Sequence, residues 1–129
     1  MREILFRAKA KFNGSIGSDH WIESSFLHIK KCGDSHSVTL GGRICDEETL
    51  GQFTGLTDKN GKKIFEGDIV IFGESKIHRI CWDDKGFWVA RNIIQNNYHY
   101  NGVALHVIGN GEIEVIGNIH DNPELVAQA

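Results

Sequence analysis

Residues 51–70 read GQFTGLTDKNGKKIFEGDIV, and in this stretch turn signals and strand signals follow one another at hairpin spacing. Asn60-Gly61 places two residues that tolerate a positive φ side by side, as a tight hairpin turn requires. Gly67-Asp68 is a second turn signal, and the strongly β-prone run at 69–72 follows it directly. The stretch therefore predicts a chain reversal at residues 60–61 and a strand at 69–72.

Strand patterns also occur on both sides of this stretch. Residues 3–12 alternate between apolar and polar side chains, which predicts a half-buried strand. Between residues 55 and 119, five or six short β-prone runs are spaced at about 8 to 12 residues, as in small barrels and sandwiches. We therefore predict a mainly β fold, with a β-rich N-terminal region over 1–50 and a second part over 51–129.

Four local signals add detail to this prediction. Asp46 is a candidate N-cap for a short helical turn, and Pro123 is placed to begin a terminal one. The apolar run at 103–108 predicts a strand, and the glycines of residues 109–111 predict a hairpin turn after it.

The composition is that of an ordinary small globular protein. The chain has 129 residues, of which 40% are hydrophobic and 24% charged, and its 15 glycines against one proline predict many tight turns. No apolar run approaches the roughly 20 residues that cross a bilayer, and the first residues lack the apolar region of a secretory signal. The three cysteines include no close-spaced pair, so we expect free thiols and a cytoplasmic location.

Charge is distributed unevenly along the chain. Residues 1–31 hold six Lys or Arg against three acidic residues, and the remainder holds eight against fourteen. An isoelectric point near 6.1 gives no general attraction to phosphate, so binding of nucleic acid would require the basic residues to gather on one face. Arg7, Lys9 and Lys11 satisfy that condition in the predicted N-terminal strand, because alternate residues point the same way.

Metal ligation is weakly supported. Cys32, His36 and Cys45 are ligand types for zinc, but no two cysteines have the short spacing that one turn presents to the ion. Cys45 and Cys81 stand beside apolar residues and are better interpreted as small core side chains. The sequence therefore predicts neither a metal nor a cofactor.

Catalytic chemistry is equally weakly supported. Two carboxylate pairs, at residues 83–84 and at Glu66 with Asp68, lie in predicted turns, where Asp favours bonds to its own backbone. A cysteine and a histidine brought together in space would be a nucleophile pair, but nothing in the sequence indicates which ones. We therefore predict no enzymatic activity.

Four aromatic residues form the strongest candidate for a binding surface. Trp82 and Trp88 flank the turn at 83–86, and Tyr98 and Tyr100 lie in a polar, Asn-rich loop. Small β-barrels use such side chains to stack bases or to grip extended peptides. By strand alternation at least one indole is a core residue, so both a core role and a recognition role stay open.

Residues 51–70 also resemble the signature segment of the YopX family, whose pattern runs approximately G-Q-[FY]-T-G-L-x-D-K-N-G-x-x-I-[FY]-E-G-D-I-V. Three further segments resemble the family's opening, middle and end: residues 2–8, residues 80–84 with 86–87, and residues 114–119 with 122–125. The sequence departs at Lys9, where the family commonly carries Trp, and residues 10–45 match no part of the pattern.

The resemblance implies a protein of phages and prophages, with a mainly β fold and an SH3-like barrel in the second half. It implies no activity and no site residues, since the family's function is uncharacterised. It also places the protein in the cytoplasm of a bacterial host cell.

From fold and composition together we expect a non-enzymatic β interaction module that binds a protein partner or itself. A free sheet edge would accept an added strand, and residues 69–72 or 3–12 are the predicted edges. The alternative is a nucleic-acid-binding protein that uses the basic N-terminal strand and the aromatic residues. No membrane association is expected.

Overall fold

A computed structural model of the chain describes residues 3–11, 20–73, 77–92, 103–108 and 112–127. The protein divides into two compact units, Met1–Phe53 and Thr54–Ala129, and the boundary falls inside one strand. Each unit has a hydrophobic core of its own.

The first unit is built from short antiparallel strands. Its elements are β1 Phe6–Lys9, β2 Trp21–Ser24, β3 Leu27–Cys32, β4 Ser35–Leu40, β5 Arg43–Cys45, a 3₁₀ turn Glu47–Thr49, and the start of β6 Gly51–Thr57. β1 lies between β2 and β6, and β3, β4 and β5 form a second sheet in that order. Ala8, Val38, Leu40 and Cys45 are buried together as the core of this unit.

The second unit contains a five-stranded antiparallel sheet in which the last strand returns beside the first strand of that sheet. Its elements are the end of β6, β7 Lys63–Phe65, β8 Asp68–Phe72, β9 His78–Asp83, β10 Phe87–Asn92, β11 Val103–Ala104, α1 Leu105–Ile108, β12 Ile113–Asn118 and α2 Pro123–Ala127. Five strands form one sheet in the order β11-β10-β9-β8-β12. The core of the unit is made of seven buried side chains, Ile64, Val70, Ile80, Trp88, Ala90, Leu105 and Ile113.

The chain reversal at residues 60–61 and the turn at residues 67–68 are confirmed, but the two-residue hairpin predicted from Asn60-Gly61 is wrong. Gly61 has φ 82° and Gly67 has φ 89°, values that glycine adopts without strain. The Asp58 N–H donates to the Lys62 carbonyl at 2.8 Å, so the reversal at residues 60–61 is a loop rather than a two-residue turn. The strand predicted at 69–72 is part of β8.

Both predicted helical turns are also confirmed. The Asp46 side chain accepts a hydrogen bond from the Glu48 N–H at 3.1 Å and caps the 3₁₀ turn. Pro123 begins α2.

The mainly β fold is confirmed, with one local correction. The run at 103–108, predicted as a strand, is a two-residue strand followed by the helical turn α1, in which Leu105 is buried. Short apolar runs give the same signal for a strand and for a buried helical turn, and periodicity cannot separate them. The hairpin turn predicted at 109–111 lies outside the described residues. None of the helices in the described part of the chain has the length and apolar character that a bilayer crossing requires.

The two predicted free edges are wrong. β8, which contains residues 69–72, pairs with β9 on one side and β12 on the other. β1, within residues 3–12, pairs with β2 and with β6, and Ala10 forms a bridge to Cys45. Strand propensity and alternation predict that a segment is a strand, but they do not specify how many neighbours it pairs with.

A close approach between β12 and the segment after it predicts the effect of one substitution. A Cβ at Gly117 would lie 2.4 Å from the Asn122 side-chain oxygen, which accepts the Asn118 N–H at 3.2 Å. We expect Gly117→Ala to lower the free energy of unfolding by about 2 kcal/mol, because the methyl group overlaps a bonded side chain. Urea unfolding measures the loss.

The Asn122→Ala variant provides the control for that substitution. If the overlap is the cause, Gly117→Ala should cost less in the Asn122→Ala background than alone. Equal costs in both backgrounds would contradict this explanation.

Candidate interaction edge

The β3–β4–β5 sheet of the first unit is held in register by two tight turns. The β3–β4 turn contains Gly33, with φ 62°, and the β4–β5 turn consists of Gly41 and Gly42, with φ 57° and 80°. Positive φ at these positions matches the twist of antiparallel strands, so each hairpin closes with two residues in its loop. The turns therefore fix which residues of β3 face β4.

The outer side of β3 is an open hydrogen-bonding edge. The Gly41 N–H donates to the Phe26 carbonyl at 2.9 Å, and bonded pairs alternate with unbonded pairs along an antiparallel ladder. The backbone groups of His28 and Lys30 are therefore directed to β4, whereas those of Leu27 and Ile29 are directed outward. No other strand in the described part of the chain pairs with this side of β3.

Most side chains on and beside β3 are exposed. Phe26 is 79% exposed and Ile29 is 50% exposed, and Lys30 and Lys31 are exposed as well. Lysines on an outer strand oppose indiscriminate pairing, while apolar side chains favour it. We call residues 26–31 the β3 edge; its chemistry suits an extended segment with apolar side chains.

The two tryptophans of the predicted aromatic surface pair across β9 and β10. Trp82 and Trp88 are direct cross-strand partners, and their rings meet edge to face with centroids 4.9 Å apart. Trp88 is 9% exposed and belongs to the core, whereas Trp82 is 47% exposed at its rim. One indole is therefore a core residue, as strand alternation predicted. Tyr98 and Tyr100 lie outside the described residues.

The basic residues of β1 do lie on one face, but they stack on an aromatic ring. The Arg7 guanidinium carbon lies 4.8 Å from the centroid of the Trp21 ring, and the Lys9 Nζ lies 5.5 Å from it. Arg7 is only 8% exposed, and Lys9 and Lys11 are half-buried. This arrangement stabilises the β1–β2 pair through cation–π contacts and leaves little of the Arg7 charge at the surface.

A buried carboxylate that the sequence did not single out organises the second unit. Asp58 is 4% exposed, and its side chain accepts hydrogen bonds from the N–H groups of Asn60 and Lys62, both at 2.9 Å, and of Val115 at 3.0 Å. The Lys59 N–H also donates to the Ile113 carbonyl at 2.8 Å. Asp58 thereby joins the β6–β7 loop to β12. Only its place in a turn sequence hinted at this role.

The ionisation of Asp58 follows from these contacts. Burial disfavours the charged form, but the three N–H donors, helped by the charge of Lys62, outweigh burial and lower the pKa of this carboxyl group. Asp58 is therefore ionised at neutral pH and acts as a hydrogen-bond acceptor only.

A pH dependence of stability follows. Because the pKa of Asp58 is lower in the folded than in the unfolded chain, its contribution is fully present above the unfolded value, about 4, and is lost as pH falls through the folded value. We expect urea unfolding to show a loss of stability below about pH 4 that is smaller in Asp58→Asn. An identical acid profile in that variant would contradict the assignment.

The carboxylates that the sequence analysis considered for acid–base chemistry have structural roles. Asp83 accepts the Lys85 N–H at 2.8 Å and pairs with Arg91 at 3.2 Å, and Asp68 accepts the Phe65 N–H at 2.8 Å. Both carboxylates are buried, Asp83 at the end of β9 and Asp68 at the start of β8, and each accepts an N–H from the adjoining turn, which confirms the turn role predicted for them.

The residue types weighed as zinc ligands do not form a metal-binding group among the described residues. His36 lies 3.3 Å from the Glu47 carboxylate, and the described residues contain no group of three or more metal-ligating side chains. Cys32 is exposed, Cys81 is half-buried and Cys45 is buried. Burial raises the pKa of the Cys45 and Cys81 thiols, which keeps them protonated and poorly nucleophilic.

These features define a class: a mainly β protein of two units, in which the outer side of β3 has no strand partner among the described residues. A protein-family model described as YopX protein matches residues 5–127, and the chain belongs to the YopX family. A search of curated proteins found no match.

Among solved structures, the crystal structure of protein EF1440 from Enterococcus faecalis is similar to this chain. The sequences are 25% identical, the match covers 98% of this chain and 99% of that chain, and the TM-score is 0.50. The similarity therefore extends over the whole length of both proteins.

Proposed function

We propose that this protein is a non-enzymatic interaction module that binds an extended protein segment by adding it as a strand to the β3 edge. The observation that carries the proposal is the outward-directed backbone of Leu27 and Ile29 beside the exposed Phe26 side chain. Main-chain hydrogen bonds would supply affinity, and alternate side chains would supply selectivity. As part of this proposal the protein is a phage or prophage accessory protein in the bacterial cytoplasm, a setting that membership of the YopX family supports.

Several contacts support a binding role over catalysis. The buried carboxylates already accept backbone hydrogen bonds, and burial raises the pKa of the Cys45 thiol, which keeps it protonated. Both groups would have to give up these contacts or states to act on a substrate.

We also propose that the second unit is an SH3-like barrel. In support, Asp58, in the loop between β6 and β7, accepts the Val115 N–H on the outer side of β12, so that this loop covers that end of the five-stranded sheet.

The alternative of nucleic-acid binding has less support. Arg7 and Lys9 already stack on Trp21, and the isoelectric point lies near 6.1. A nucleic-acid binder that neutralises several phosphates would lose affinity by orders of magnitude between about 50 and 200 mM salt. Anisotropy titrations of labelled DNA and RNA at those two concentrations would reveal it.

Selection from a library of displayed linear peptides tests the proposed function. Peptides that bind the protein should lose at least about tenfold in affinity for Ile29→Pro, because proline removes an outward N–H of the edge while the β3–β4 bonds remain. Ile44→Ser is the matched control: Ile44 is 59% exposed in the same sheet, but it lies on β5, away from this edge.

Two outcomes would overturn this function. One is a selection that yields peptides bound equally well by Ile29→Pro. The other is a selection that yields no binder at all while labelled nucleic acid binds saturably with the salt dependence described above.

A further inference from the structure

We infer that the β3 edge binds a second copy of this chain, as an antiparallel β3–β3 pair whose two-fold axis passes between the two His28 residues. This inference rests on the proposed function and names the occupant of the edge. It follows from the residues that face outward, because the symmetry of a two-fold pair decides which side chains meet.

Three registers place a two-fold axis within the middle of the edge. Centring on Lys30 sets two lysine side chains directly opposite one another, which is destabilising. Centring on Ile29 opposes Leu27 with Lys31 on one face and His28 with Lys30 on the other, so that an apolar side chain meets a charged one and two basic side chains meet each other. Centring on His28 avoids both mismatches.

In the His28 register, apolar and basic residues complement one another on both faces. On one face, each Leu27 lies opposite the second copy's Ile29, whose 50% exposed side chain would be covered. On the other face, each Phe26, 79% exposed, lies opposite the second copy's Lys30, an arrangement that suits cation–π contact and packing of the lysine stem.

The backbone is arranged for the same register. Leu27 and Ile29 direct their N–H and C=O groups outward, and in this register they form hydrogen-bonded pairs with Ile29 and Leu27 of the second copy. The two His28 residues then form a non-bonded pair with Cα atoms about 4.5 Å apart. In this register only residues 26–30 of each copy pair, which is fewer than the roughly 20 to 30 residues per side of a standard interface, so we expect a weak dimer that depends on protein concentration.

Single-cysteine crosslinking in a Cys32→Ser background tests the register. His28→Cys should form an intermolecular disulfide at least about tenfold faster than Lys30→Cys. In the proposed register the two copies' positions 28 are directly opposite, whereas their positions 30 are offset by four residues, or about 13 Å, which is too far for a disulfide. Ile29→Cys is an intermediate case at about 7 to 8 Å and should also be slower. Dimer formation is measured on non-reducing gels in the presence of a mild thiol oxidant. The Cys32→Ser variant alone is the control for any disulfide that Cys45 or Cys81 forms.

The outcomes separate this inference from the proposed function. The His28-centred dimer would be overturned if Ile29→Cys or Lys30→Cys crosslinked fastest. It would also be overturned if His28→Cys crosslinked no faster than the Cys32→Ser background. Peptides that bind in an Ile29→Pro-sensitive manner would still uphold the edge as a binding site in that case. Loss of the His28→Cys disulfide when Ile29→Pro is added would support the strand pairing itself.

Discussion

Asp58→Ala should lower the free energy of unfolding by about 3 kcal/mol, among the largest effects of any single substitution in the second unit. The carboxylate accepts three backbone N–H groups, from Asn60, Lys62 and Val115. A hydrogen bond to a charged acceptor contributes about 1.5 to 3 kcal/mol. In the variant, water can accept from the N–H groups of the exposed residues Asn60 and Lys62, but it reaches the N–H of the half-buried Val115 less easily, so only part of the total is lost. Urea unfolding followed by tryptophan fluorescence measures the change.

The neighbouring turn provides a matched control. Asp84 is an exposed aspartate in the turn between β9 and β10, and Asp84→Ala should change the free energy of unfolding by less than about 0.5 kcal/mol. Comparable losses for the two variants would show that the Asp58 contacts are not what stabilises the loop. A loss confined to Asp58→Ala would establish this carboxylate as the link between the β6–β7 loop and β12.

Trp88→Ala should lower the free energy of unfolding by about 4 kcal/mol, and Trp82→Ala by about 1 kcal/mol. Both indoles are in the same cross-strand pair, but Trp88 is 9% exposed in the core and Trp82 is 47% exposed. Removing the buried ring leaves a cavity among Ile80, Ala90 and their neighbours, whereas removing the rim ring loses mainly one ring contact. The measurement is again urea unfolding, followed by far-UV circular dichroism because the substitutions remove fluorophores.

Trp88→Phe distinguishes packing from hydrogen bonding in this pair. The buried Trp88 Nε1 has no acceptor within hydrogen-bonding distance among the described residues. Replacement by phenylalanine therefore loses ring volume but no hydrogen bond, and it should cost clearly less than alanine. Equal losses for Phe and Ala would contradict a packing role.

Local signals were sufficient wherever a few adjacent residues decide the conformation. Gly61, Gly67 and Asp46 were assigned to turns and a cap because positive φ and side-chain capping are properties of the residue and its immediate neighbours. The family signature at 51–70 was recognisable for the same reason, since it is a series of such local requirements. The helical turn α1 was missed because a short apolar run does not specify its period.

The candidate site depended on contacts that the sequence does not encode locally. Nothing in the sequence of the β3 edge distinguishes an outer strand from an inner one. Conversely, β8 and β1 were expected to be edges and are paired on both sides. Strand order is set by which distant segments meet, and the exposed fraction of each side chain follows from that order.

By itself, then, the sequence determined a mainly β protein of the YopX family, its turns and most of its strands, because these follow from dihedral preferences and alternation within a few residues. Tertiary structure alone decided that the outer side of β3 has no strand partner among the described residues, that Trp88 is core while Trp82 is exposed, and that Asp58 accepts an N–H from a residue 57 positions away. Such long-range pairings depend on packing between segments, and no window of adjacent residues contains that information.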